Sequence, residues 1–478
     1  MPYRRDTISA ATLAVVAVLL AGCGGNPLIP SLPDENRTPV DPERFELLAR
    51  FVHISDAHVV DEESPGRLSP FAGLSRSAWR PQESYSIQLL DGTIRAVNKL
   101  HATRHRFDFL VHTGDSCDNA QLNELQWFVG TFDGGEIDPL SGLDNRTEVP
   151  DPQLDQHATF VAQGLYRQGV HGTSPTIPWY SVIGNHDRFG GGIFPIIYDL
   201  YDVRISPLPL EDRIGFFAPK YLDPVGRLSW TTLSPAQPGP PFGLTIPRPV
   251  QANPDRRFIT DGDYVTAHLA SSGEPPGHGF SAEHPNQTWY SVSPKPGLRL
   301  IALNSSTPRE EIPTLVYADG AISPEQRTFL IAELEKAQAA GEIVIIASHH
   351  PSALLQPSIG TSLTPGAFRQ LLDRFDNVKL HIAGHTHSNV VLNHGGYAEV
   401  VTGSIIDFPQ RGRVIELWRP RGRSPLEADG APVELRYWYF SYYDEVFQPG
   451  QTYEQLFRDE HEALRQRAAE LSGIAPPD

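Results

Sequence analysis

The chain has 478 residues, with 39 Lys and Arg against 57 Asp and Glu, so its net charge is −18. That acidic balance excludes generic nucleic-acid binding, which needs a basic footprint, and two cysteines exclude a disulfide scaffold. A hydrophobic share of 40 % excludes a disordered chain, while 44 Pro and 40 Gly predict long ordered loops.

Arg4 and Arg5 precede an apolar run from Ile8 to Leu20. The run is shorter than the roughly 20 apolar residues a bilayer span needs, and it fits the hydrophobic region of a secretory signal. It ends in Leu20-Ala21-Gly22-Cys23-Gly24, which resembles a bacterial lipobox. On that reading residues 1–22 are a signal peptide and Cys23 is lipidated as the new N-terminus. The protein would then lie outside the cytoplasm, in the cell envelope, touching the membrane through that anchor alone. Loss of Arg4, Arg5 and Asp6 would take the net charge from −18 to −19. The paired arginines leave twin-arginine export open. Residues 23–47 hold much Gly, Pro, Asn and Ser and read as a flexible tether.

Residues 49–55 (ARFVHIS) read as a buried strand, and 86–105 set Ile87, Leu90, Ile94, Val97 and Leu100 at helical spacing. A second strand is predicted at 107–113 (FDFLVHT), a helix over 121–129, and a third strand at 178–183 (PWYSVI). Strands at 298–303 and 343–348 flank a helix opening on Ser323-Pro324-Glu325-Gln326, with Ser323 as N-cap and Gln326 at the third position of a capping box. A helix over 365–375 leads to a strand at 379–383 (KLHIA). Strands separated by helices predict an α/β core with a largely parallel element. Residues 131–176 and 190–286 break this rhythm and read as insertions over one face of a single domain spanning 48–445. Residues 446–478 close the chain, with a charged helix over 452–471.

Five of these strands end in residue types that bind metals: Asp56-Ala57-His58, Gly114-Asp115-Ser116-Cys117-Asp118, Gly184-Asn185-His186-Asp187, His349-His350-Pro351 and Gly384-His385-Thr386-His387. Ligands of open α/β sheets gather beyond the carboxyl ends of strands, so five such clusters can converge on one place. Imidazole and carboxylate suit divalent Mn, Fe, Zn and Co, and the lack of thiolates argues against a structural zinc site. Glycines before Asp115, Asn185 and His385 let the chain turn sharply off each strand. One carboxylate, Asp115, can bridge two metals about 3.5–4 Å apart.

The ordered set resembles the calcineurin-like metallophosphoesterase superfamily over about residues 48–420, the two long inserts excepted. The resemblance implies a four-layer α/β/β/α sandwich with two divalent metal ions. It also implies that Asp56, His58, Asp115 and His387 hold one metal, and that Asp115, Asn185, His349 and His385 hold the other. His186 matches the catalytic histidine, with Asp187 to orient it. Departures narrow the kinship. Purple acid phosphatases place a tyrosinate where Asp118 stands and lack a histidine at His58, and Ser/Thr protein phosphatases end the third motif in Glu, not Asp187.

The implied activity is hydrolysis of a small phosphate mono- or diester by metal-activated water. His186 would supply the leaving group's proton. A metal- or phosphate-capturing protein without turnover is the alternative, and nucleic acid is not an expected partner. His53, His112 and His381 lie within strands and read as packing residues, and Cys117 as a structural thiol. Of the pair His349-His350, the first is expected to face the site and the second away. Asp61, Glu62 and Glu63 read as a solvated loop near the site mouth. For Arg188, contact with a substrate phosphate and a surface salt bridge are equally plausible.

Overall fold

A computed structural model describes residues 33–61, 64, 85–141, 159–193, 228–232, 245–249, 253–306, 319–356, 363–407, 409–422 and 433–442. Cys23, Glu62, Glu63 and the expected terminal helix lie outside the described residues.

The first half of the chain runs through β1 (Phe45–Ile54), α1 (Ser86–Thr103), β2 (Phe109–His112), α2 (Leu122–Asp133), β3 (Gly135–Ile137), β4 (Phe160–Ala162) and β5 (Trp179–Ser181). Two short strands, β6 (Leu228–Thr232) and β7 (Thr245–Pro249), form a hairpin before α3 (Asp261–Ala270). There follow β8 (Tyr290–Lys295), β9 (Leu298–Leu303), α4 (Pro324–Ala339), β10 (Ile343–Ser348), α5 (Pro365–Leu372) and β11 (Val378–Ala383). The last strands are β12 (Val390–Asn393), β13 (Ala398–Val401), β14 (Arg411–Pro420) and β15 (Glu434–Ser441).

These strands form two main sheets, one ordered β15-β14-β1-β2-β5 and the other β12-β13-β11-β10-β9-β8. In the first, β1, β2 and β5 are parallel. In the second, β9, β10, β11 and β13 are parallel, and antiparallel β8 and β12 close the edges.

Alternation along the strands sets the layers. On β9, Leu298, Leu300 and Ala302 join a core shared with Phe51, Ile54, Phe109 and Val111 of the other sheet. The intervening Ile301 and Leu303 pack instead with Leu330 and Leu334 of α4 and with Phe368 and Leu372 of α5. Strand side chains alternate faces, so one set fills the space between sheets and the other seats the helices. Beyond the first sheet, α1 and α2 contribute Leu90, Ile94, Val97, Leu125 and Phe128. The result is an α/β/β/α sandwich.

The N-cap at Ser323 forms, its Oγ accepting from the Gln326 amide at 3.2 Å. The reciprocal half of the expected box does not. Gln326 is buried, and its side chain holds the end of β9 instead, accepting from Asn304 N at 2.8 Å and donating to Asn304 O at 2.9 Å.

Part of the expected insertion at 190–286 belongs to the core. Thr260 and Asp263 cap α3 reciprocally, and the helix buries Tyr264 and Val265. Tyr264 Oη lies 2.9 Å from Ser181 Oγ and 3.2 Å from Ser116 Oγ, beneath two strand-end loops. Arg256, fully buried, pairs with Asp61 at 2.7 Å. Asp61 also accepts from Ser141 Oγ and Asn123 Nδ2, so it is not the solvated residue the sequence suggested.

Candidate metal centre

Six loops leave the C-terminal ends of parallel strands and bond to one another. Asp56 N donates to Gly114 O at 3.0 Å, and His58 N to Asp115 O at 2.9 Å. Gly384 N donates to His349 O at 2.9 Å, while His385 N reaches the Asp56 carboxylate at 3.0 Å. Five side chains of the expected set sit on left-handed backbone: Asp56 (φ 54°), His58 (43°), Asp115 (56°), His385 (68°) and His387 (50°). That conformation costs a non-glycine residue on the order of 1 kcal/mol, and its concentration at one place is a mark of functional sites. Neighbouring glycines make the close approach possible. At Gly114 (φ 98°) a Cβ would fall 2.7 Å from His349 Nδ1, and at Gly184 it would overlap the Asp115 carboxylate.

The loops bring the seven expected ligand residues together in two overlapping groups. Asp56, His58, Asp115 and His387 present ligand atoms all within 4.8 Å of one another. There His387 Nε2 lies 3.3 Å from Asp56 Oδ1, His58 Nε2 3.5 Å from Asp115 Oδ2, and the two Nε2 atoms 3.1 Å apart. The second group continues from the same Asp115 Oδ2, which is 3.2 Å from His349 Nε2. His349 Nε2 is 2.8 Å from Asn185 Oδ1, and His385 Nδ1 is 3.1 Å from that oxygen.

The outer hydrogen bonds fix what these atoms are. His349 Nδ1 must donate to Thr113 O, 2.8 Å away, because a carbonyl only accepts. His58 Nδ1 faces Asp118 Oδ1 at 3.1 Å, and His387 Nδ1 bonds the Asp407 carboxylate. Each neutral ring therefore turns an Nε2 lone pair inward. Asn185 donates from Nδ2 to Gly192 O at 2.8 Å, so its oxygen also points into the group. Between His58 and His387, and between His349 and Asn185, acceptor thus faces acceptor, an arrangement that positive charge reconciles.

Protons supply that charge in the metal-free protein. Burial disfavours charge on His349, but the Asp115 carboxylate outweighs it and lifts the pKa to about 9. Asp56 and Asp407 likewise overcome burial at His387 and raise it to about 10. His385 goes the other way, to about 3, through burial and then the charge on His349. Burial also works against charge on Asp56 and Asp115, yet the surrounding histidines, His387 and His349 foremost, hold both carboxyls below the usual range. Histidine, carboxylate and amide oxygen in two groups with a shared carboxylate fit a pair of divalent cations.

His186 packs edge-on against His58, ring centroids 4.5 Å apart, and is partly exposed. Asp187, expected to orient it, does something else. Its two oxygens accept from Cys117 N and Gly184 N, each at 2.8 Å, tying the second and third loops together. Burial, and then the charge on Asp115, push Asp187 up to about 7. The partner of His186 Nδ1 is the Asp118 carbonyl at 2.6 Å.

His350 does not point away, since its ring lies 4.2 Å from that of His385 while Nδ1 bonds Ser305 Oγ. Arg188 forms a two-pronged pair with Asp261 at 2.9 and 2.8 Å. His53 is buried between Thr113 and Thr402, His381 meets Ser348 Oγ at 2.8 Å, and His112 packs on Phe128. Cys117 is a buried thiol. Asp407 is the residue the sequence reading missed. It follows β13 on a sixth parallel strand end, and Gly403 before it was the available signal.

The family model for calcineurin-like phosphoesterases matches residues 49–303, more than half of the chain, and the chain belongs to that family. His349, His385 and His387 lie beyond the matched residues.

Among solved structures, a dimetal phosphatase from Danio rerio aligns at 14 % identity and a TM-score of 0.40, covering 83 % of this chain and 100 % of that one. The calcineurin-like phosphoesterase YfkN from Bacillus subtilis aligns at 10 % identity and 0.36, covering 89 % and 99 %. A 5'-nucleotidase precursor from Thermus thermophilus aligns at 13 % and 0.31, covering 87 % and 58 %. No curated protein sequence matches.

Proposed function

We propose that this chain is a metal-dependent phosphoesterase acting on a small phosphate mono- or diester in the cell envelope, held to the membrane by a lipid on Cys23. Family membership supports the reaction class. The observation that carries the reading is two groups of ligand-type side chains shared through Asp115 Oδ2, 3.5 Å from His58 Nε2 and 3.2 Å from His349 Nε2. Asp56, His58, Asp115 and His387 would hold one divalent cation, and Asp115, Asn185, His349 and His385 the other.

Such a pair, when bound, supplies Lewis acidity toward phosphoryl oxygens and lowers the pKa of water. The chain's own residues do the rest. Asp115 sets the spacing of the two positions, and the Gly192 carbonyl keeps the Asn185 oxygen turned inward. His186, with Nδ1 fixed on the Asp118 carbonyl, has Nε2 left to hand a proton to the departing oxygen. Asp187 keeps the loops bearing Asp115 and Asn185 in register.

The test is hydrolysis of aryl phosphate mono- and diesters with added Mn²⁺. Asp115→Ala should reduce turnover to background. His186→Ala should lower kcat by about 10²–10⁴-fold with metal content unchanged. Wild-type rates surviving both substitutions overturn the assignment, and tight metal binding without turnover on either ester makes the protein a metal- or phosphate-capturing one.

A further inference from the structure

The two groups of acceptors are not equivalent. Around the first stand Asp56 and the shared Asp115, and both of its imidazoles are backed by further carboxylates: His58 by Asp118 at 3.1 Å, His387 by Asp407. In the second, Asp115 is the one carboxylate of the four expected ligands, Asn185 is neutral, and His349 is backed by a neutral carbonyl, Thr113 O. A carboxylate behind an imidazole fixes its orientation and makes it a stronger donor, and a charged acceptor holds the ring more firmly than a carbonyl.

The loop carrying Asp407 is docked on the loop carrying Asp56. Ser404 Oγ donates to Asp56 O at 2.8 Å, and Ile405 N to Ser55 O at 3.2 Å. The same Ser404 hydroxyl accepts from Ile406 N and Asp407 N at 3.1 and 3.2 Å. Beyond it, Gln410 N closes the turn on Asp407 O at 2.6 Å. Asp407 is therefore held in place by the backbone that also places Asp56.

We infer that Asp407 is a positioning residue which, with Asp118, makes the Asp56–His58–Asp115–His387 position the tighter of the two, so that it fills first. The inference rests on the reading that the two groups hold cations, and it adds an order of filling and the residue that sets it.

Its test is titration of the metal-stripped full chain with Mn²⁺, following free Mn²⁺ by its paramagnetic resonance. The wild type should bind in two resolved steps. His349→Ala should remove the weaker step and keep the tighter one. Asp407→Asn should weaken the tighter step about 10–100-fold and leave the weaker one in place, and Asp407→Glu should restore much of the loss.

Asp118→Asn acts on the other imidazole of the same position and keeps the backbone carbonyl that holds His186. It should weaken the same step even if Asp407→Asn does not fold. Two steps of equal affinity in the wild type, or both steps unchanged or equally weakened in folded Asp407→Asn, overturn the inference alone. A wild type that binds no Mn²⁺ overturns the dinuclear reading beneath it.

Discussion

Thr113, Asp118 and Asp407 decide what three imidazoles can do, because each takes the outer N–H and leaves an inward lone pair. The linkage to pH follows. In the metal-free fold His349 and His387 are raised to about 9 and about 10, above the roughly 6.5 of free imidazole. Their protonation stabilises the fold fully below about pH 6.5, and that contribution is lost as pH climbs through the folded values. Asp56 and Asp115 are depressed, so their contribution is present above the unfolded carboxylate pKa and lost as pH falls through the folded one. The Tm of the metal-free chain should therefore fall between about pH 8 and pH 10, and Mn²⁺, which replaces those protons, should flatten the decline. A Tm that rises across that interval contradicts the account.

At this scale the sequence was generous with ligand types, since Asp56, Asn185, His349 and His385 stood in short motifs at strand ends. It was silent on the atoms behind them. A backbone carbonyl such as Thr113 O has no residue signature, and the one signal for Asp407, Gly403, stands four residues before it and not directly before it as at Asp115, Asn185 and His385. Asp187 misled for a related reason, because a carboxylate next to a histidine in sequence need not touch it, and here backbone amides of two loops claim both oxygens.

Among elements, the long parallel strands were legible because both faces are buried and the residues run apolar. The C-terminal β14 and β15 were not, since Arg413, Glu416 and Arg436 break the pattern. Glu416 hides its charge within the sheet by accepting from Arg50 at 2.6 Å and Arg436 at 2.9 Å. The segment around α3 was misread as loop because a helix of 10 residues with three buried side chains gives little periodicity. Its approach is anchored by Arg256 on Asp61, both buried. Removing one partner of a buried pair strands the other, at about 3–5 kcal/mol. Arg256→Met should lose stability on that order in denaturant unfolding, and a change of under about 1 kcal/mol would show that the pair contributes little.

Over the whole molecule, the net charge of −18 sits awkwardly with an anionic substrate unless positive charge is concentrated where the ester binds. The acceptor-lined groups offer that place, and the rest of the surface need not be basic. The same scale holds the proposal about location. Cys23→Ser should move the exported protein from the membrane fraction to the soluble one, and unchanged membrane association would remove the lipid anchor from the account.

The central claim is that distant residues converge on Asp115 to hold two cations. Equilibrium dialysis of the metal-stripped chain against Mn²⁺, with the bound metal counted by elemental analysis, tests it most directly. The account predicts about two ions per wild-type chain, as two positions sharing one carboxylate require. It predicts that folded Asp115→Ala retains at most one, weakly held. No bound metal in the wild type, or full loading in the variant, would contradict it.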